Sequence, residues 1–199
     1  MTDTAEPDLD RRIAQRVKDL RLARRLSLEA LAERSGVSRS MISLIERGET
    51  SPTAVLLERL ATALDVALAS LFEQPQAAPT AAPVARRAEQ PQWRDPASGY
   101  LRRNVSPSGF PSPIQIVEVE FPAGARVAFD SAGRRDLRVH QQVWMLEGAM
   151  EVSVGETRHR LQAGDCLAFV LDRPTAFQNR SRRPARYAVV IVGTPEGSR

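Results

Sequence analysis

The stretch that most constrains this chain is residues 27–48, SLEALAERSGVSRSMISLIERG, which specifies two short helices and the turn between them. Ser27 is placed to cap the first helix, and Leu28, Leu31 and Ala32 share one of its faces. Gly36 falls where that helix must stop, because glycine takes a positive φ without a Cβ clash. Val37 fills the corner. Ser38 caps the second helix through the orphan N–H groups of its first turn. Met41, Ile42 and Ile45 then recur at helical spacing, while Arg39, Ser40, Ser43 and Arg47 occupy the other face.

This is a helix-turn-helix pattern, whose second helix is the one offered to the DNA major groove. From Ile13 to Phe72 the sequence resembles the lambda-repressor-like, or XRE, family of DNA-binding domains. An ordinary helical hairpin would not require the turn, both caps and the flanking helices to agree. A first helix is expected over 9–25, with Leu9, Ile13, Val17 and Leu20 inward. A fourth is expected over 53–64, with Pro52 at its start and Leu56, Leu57, Leu60 and Leu64 inward. A fifth, over 67–72, closes a five-helix bundle.

Charge follows the same plan. Residues 11–47 hold ten Lys or Arg against four Asp or Glu, although the whole chain carries only +4. That local excess is the footprint of a basic DNA face. A single cysteine, Cys166, excludes an intrachain disulfide and fits a reducing compartment. It is expected to be a small buried hydrophobe. Residues 1–8 read as a disordered polar tail, with no signal peptide or membrane span, so a cytoplasmic protein is expected.

Residues 74–92 are rich in Pro, Ala and Gln and read as an interdomain linker; a helix over 85–90 is the competing reading. The helix-turn-helix domain therefore spans 9–73 and a second domain 93–199. In the latter the period shifts to two. Strands are expected near 117–121, 124–129, 139–146, 149–154, 157–161, 166–170, 176–179 and 185–192, a spacing that argues for a sandwich or barrel.

Val143-Trp-Met-Leu-Glu-Gly148, Gly155, Gln162-Ala-Gly-Asp165 and Arg173-Pro-Thr-Ala-Phe-Gln-Asn179 resemble the two motifs of a cupin, an all-β jelly-roll barrel or double-stranded β-helix. A helix-turn-helix followed by one cupin is the arrangement of XRE-cupin transcription regulators. Many cupins hold a divalent metal with His and Glu side chains. By that resemblance the Glu position is Gln141, the first-motif His positions fall among residues 134–137, and the second-motif His position is Thr175. These are poor ligands, so neither a metal nor another cofactor is expected. His140 neighbours the Glu position but points to the opposite face of the strand. His159, between Arg158 and Arg160, reads as solvated, as does the cluster Arg180, Arg182, Arg183 and Arg186.

The interior then suits a small-ligand pocket. Gln141, Val143, Met145, Thr175, Phe177, Phe129 and Arg135 are the expected lining, and an inward Arg would favour an anion. The resemblance also implies base contacts from Arg39, Ser40, Ser43 and Leu44, and phosphate contacts from Ser27, Arg47, Arg21, Arg24 and Arg25. The implied partners are a pseudo-palindromic double-stranded operator, a second copy of the chain and a small effector. No nucleophile–base pair or phosphate loop points to an enzyme. Three readings stay open: a ligand-responsive regulator, a constitutive regulator with a structural cupin, and a cupin enzyme targeted to DNA.

Overall fold

The computed structural model describes residues 6–72, 82–130 and 137–195. Arg135 and the whole of the stretch 74–81 lie outside them. The helical region comprises α1 (Glu6–Ala23), α2 (Leu28–Ser35), α3 (Arg39–Glu46) and α4 (Ala54–Ala63), followed by a 3-10 helix, Leu68–Phe72. Among the described residues four α-helices are therefore present where five were expected. The fifth segment follows Asp65, which sits at φ 51, and is too short to cover the cost of α-nucleation. The tighter 3-10 winding still buries Ala69, Leu71 and Phe72.

α1 begins at Glu6, inside the stretch expected as a tail, and buries Leu9, Ile13, Val17 and Leu20. α4 buries Leu57, Leu60 and Leu64, whereas Leu56 is only half-buried. Its cap is Thr53, so Pro52 stands just before the helix rather than in its first turn. Part of the expected linker is ordered: residues 87–89 form one 3-10 turn rather than a longer helix, and β1 begins at Gln92.

Ten strands follow. β1 (Gln92–Arg94), β2 (Leu101–Asn104), β3 (Ile114–Phe121), β10 (Ala185–Pro195), β5 (Leu137–Glu147) and β8 (Cys166–Val170) form a six-stranded sheet in that order. β4 (Arg126–Phe129), β9 (Thr175–Gln178), β6 (Ala149–Val154) and β7 (Thr157–Gln162) form a four-stranded one. The paired strands are antiparallel, and the two inner faces share one core. Alternation sets the faces: on β5, Val143 and Met145 are buried while His140, Gln142 and Trp144 are exposed. Gly148 turns β5 into β6 at φ 76, and a Cβ there would meet the Pro184 carbonyl at 3.1 Å. Only glycine fits that corner. β1 and β2 had no clear period-two signal in the sequence. Among the described residues no helix is long and apolar enough to cross a membrane.

The two regions meet closely. A row of aromatic rings starts at Phe72, the last residue of the 3-10 helix, and continues through Trp93 at 5.4 Å, Tyr100 and Phe121 into the β core. Tyr187, Phe177 and Phe129 extend it. Such edge-to-face and stacked pairs add about 0.5–1.5 kcal/mol each beyond simple burial. Polar contacts close the same seam. Asp95, after β1, accepts the backbone N–H of Ala54 at 2.9 Å and so caps α4 from the β-rich region. Asn104 donates to the Phe72 carbonyl.

Candidate nucleic-acid interface and interior cavity

The turn between α2 and α3 is built as its residues require. The Ser27 hydroxyl accepts the N–H of Ala30, and Gly36 stops α2 at φ 65, donating to the Ala32 carbonyl. The Ser38 hydroxyl accepts the N–H of Met41 and caps α3. Buried Ile42 and Ile45 hold α3 against the core. Its opposite face presents Arg39 and Ser40 to solvent, with Ser43 and Leu44 half-buried beside them. A helix held by its apolar face and capped at its start offers those side chains in a fixed frame, as groove reading needs.

The cations around this helix differ in availability. Arg39 is two-thirds exposed and pairs with the equally open Glu29 on α2. The Glu29 carboxyl is lowered, chiefly by its own backbone N–H and the Ser27 hydroxyl, then by Arg39. Exposed pairs of this kind are weak, so Arg39 can exchange Glu29 for another partner at small cost. Arg47 forks onto Glu49 at 2.6 and 2.9 Å and also donates to Ser43. Arg25 is exposed at φ 54.

Two expected phosphate contacts are placed otherwise. Arg21 is buried: Nε and Nη2 fork onto the Glu46 carboxylate at 2.6 and 2.7 Å, and Nη1 donates to the Leu26 carbonyl. The bond to Glu46 holds its guanidinium above the usual range. Arg21 thus ties α1 to the end of α3 and has no free donor face for a phosphate. Arg24 is half-buried and bends back toward the Leu20 and Asp65 carbonyls. The charge count could not separate these two from solvated arginines. The burial of Arg21 follows from Leu20 and Leu26 flanking it.

Behind the seam lies a cavity of about 90 Å³. Of the expected lining, Gln141, Thr175, Phe177 and Phe129 do border it. Val143 and Met145 do not; both are buried to within 1% in the packed core on the same face of β5. Val119, Val139, Val189 and Ile191 supply most of the rest of the apolar wall. The helical region closes it with Glu58, Ala67, Leu68 and Ala69.

The cation among the described residues of this wall is Arg102, which sequence reasoning missed. It lies on β2 opposite Trp93 and Val119, only 7% exposed. Its Cζ stands 4.5 Å above the Phe72 ring. Nε and Nη2 are buried without a hydrogen-bond partner among the described residues. Burial lowers its pKa to about 10, so it stays charged at neutral pH. Burial likewise raises Tyr100 and Tyr187. The one usable signal was the pair Arg102-Arg103 inside a short strand, where a basic residue must face inward. Its neighbour Arg103 instead binds Glu118 at 2.6 Å.

Other side chains also depart from expectation. Cys166 is exposed, because the Gly164-Asp165 turn leaves the start of β8 on the outer face. His159 is half-buried. Arg180 and Arg186 are not simply solvated: they pair with Glu151 and with Glu118 and Glu147. Among the described residues no group of three or more His, Cys, Asp or Glu is placed to hold a metal ion.

Comparison with known proteins bears on both regions. Residues 17–71 match the helix-turn-helix family HTH_3. The chain is 28% identical over 185 residues to the HTH-type transcriptional regulator SutR of Escherichia coli, covering 92% of this chain and 96% of that one. It is 40% identical over 63 residues to the HTH-type transcriptional regulator SinR of Bacillus subtilis, covering 31% of this chain and 57% of SinR. The crystal structure of an HTH_3 family transcriptional regulator from Vibrio cholerae superposes with a TM-score of 0.72 at 26% identity, covering 94% and 97%.

Proposed function

From the match of residues 17–71 to the helix-turn-helix family HTH_3 we propose a sequence-specific DNA-binding transcription regulator whose cupin-type β domain senses a small metabolite without a metal. The observation that carries the DNA reading is the outer face of α3, with Arg39 and Ser40 exposed at a doubly anchored helix start. Arg39 reads a guanine through a bidentate fork, and Ser40, Ser43 and Leu44 complete the base contacts. Ser27, Arg25 and Arg47 meet phosphates. Two copies set their α3 helices about 34–36 Å apart on a pseudo-palindromic operator. The likeness along nearly the whole of SutR, a transcriptional regulator by name, supports this reading beyond the helix-turn-helix itself.

The test begins by selecting bound sequences from a random duplex pool with the full-length protein. Arg39→Ala is then measured on the winning operator. The expected result is a loss of about 1–3 kcal/mol in specific binding and relaxed choice at one base pair. Unchanged affinity with unchanged preference sinks the assignment.

The sensing reading is supported by the cavity, whose wall belongs partly to the helical region. A ligand shifts a regulator only through unequal affinity for its two states, and a site touching both regions supplies that inequality. Operator affinity measured with and without a metabolite panel tests it; an affinity that no compound alters favours a purely structural β domain.

A further inference from the structure

We propose that the cavity behind the 3-10 helix binds a small organic monocarboxylate, anchored on the Arg102 guanidinium with its carbon chain against Val139, Val189 and Phe177. The ligand class deepens the sensing reading and rests on it only for the effect on DNA; binding itself rests on the cavity.

Three observations carry the assignment. First, Arg102 is a buried cation lining a cavity, with Nε and Nη2 unpartnered among the described residues. A buried charge without a partner is costly, so a native site that keeps one invites a counter-ion. Second, those two nitrogens form one in-plane edge of the guanidinium, and this protein uses that same edge for carboxylates elsewhere. Arg21 forks onto Glu46, Arg47 onto Glu49 and Arg173 onto Asp172, each through Nε and Nη2. Third, the Phe72 ring occupies one face of the Arg102 guanidinium, and the N–H groups donate in the plane of that group. A planar carboxylate matches that fork.

Size and charge narrow the class. A cavity of about 90 Å³ has room for a small ligand only. Arg102 is the one cation among the described lining residues, which suits a monoanion over a dianion. Glu58, on the helical side, is already engaged by the Thr62 hydroxyl at 3.0 Å and forms no ion pair with Arg102. The carbon chain meets valines and a phenylalanine, so short-chain fatty acids fit better than hydroxy or amino acids. Because Leu68 and Ala69 close the cavity, a bound acid contacts the helical region as well as the β strands.

The experiment is a thermal melt of the full-length protein in chloride buffer with acetate, propionate or butyrate, each against its neutral amide. At a hundredfold excess over Kd a bound acid raises stability measurably, and the amide should not. Arg102→Gln should weaken the response about tenfold or more. Thr175→Leu, which fills the cavity and leaves Arg102 in place, should abolish it, and covers the case in which the Arg102 variant fails to fold. A series of acids that shifts nothing, amides that act as well as acids, or an undiminished response in both variants overturns the proposal. Operator binding is read in parallel. Acids that stabilise through Arg102 but leave DNA affinity unchanged uphold the site and defeat the sensing reading. A different metabolite that alters DNA affinity, with the acids inert, does the reverse.

Discussion

The helical region and the β-rich region each bury an arginine, and they treat it in opposite ways. Arg21 has its counter-ion built in: Glu46 takes its fork, and the Leu26 carbonyl takes a third donor. Arg102 has an aromatic ring on one face and two nitrogens with no hydrogen-bond partner among the described residues. The Arg21 fork fixes the end of α3 relative to α1, which suits a helix that must hold its side chains in a set frame. At Arg102, hydrogen-bonding capacity is left over among the described residues, on a side chain that lines a cavity. The difference separates a residue that serves the fold from one whose partner lies outside the chain.

The sharpest way to break this comparison is Glu46→Ala. It leaves the Arg21 charge buried and alone, and should cost about 3–5 kcal/mol of stability in a denaturant titration. A loss below 1 kcal/mol would mean that the pair is not a tie. The converse change is Arg102→Met, which removes a charge that already lacks a partner. It should leave the ligand-free protein more stable by about 1–3 kcal/mol. A large loss instead would place Arg102 with Arg21 as a structural cation.

A smaller effect tests the seam between the regions. Asp95→Ala removes the carboxylate that accepts the Ala54 N–H and also the Ser98 N–H and hydroxyl, and should cost about 1–2 kcal/mol. Amide exchange at the start of α4 should rise with it; protection unchanged at Ala54 would show that the cap is not needed.

The smallest effect is optical. The chain has two tyrosines, and burial raises the pKa of both Tyr100 and Tyr187 above the ordinary 10. The folded protein keeps protons that the unfolded chain releases. This contribution to stability is therefore complete below pH 10 and is lost as pH rises from 10 toward the folded values. Phenolate absorbance should stay flat through pH 10 and then appear together with unfolding. An independent rise near pH 10 would place at least one ring in water.

The helix-turn-helix was legible because its signals are local. Ser27, Gly36 and Ser38 act within four residues of themselves, and the structure uses each of them as a cap or stop. The spacing of Gln141, Val143 and Met145 set their shared face correctly, but not which of them border a void, because that depends on strands far away in sequence. Arg21 was misplaced for the same reason: its partner Glu46 is 25 residues on. Arg102 escaped notice because β1 and β2 are three and four residues long, too short for a period. The turn glycines announced the later strands, whereas nothing in residues 67–72 distinguished a 3-10 helix from an α-helix.

The carboxylate that Asp95 lends to α4 also bears on how such chains are recombined. Residues 73–91 separate the two regions along the chain, yet the start of α4 takes one of its hydrogen bonds from beyond them. A hybrid made by grafting another protein's helices onto this β domain, joined within 73–91, inherits a mismatched seam. It must carry an acceptor-seeking helix start opposite Asp95 and a ring where Phe72 meets Trp93. Parts exchange cleanly here only when these two positions travel with them.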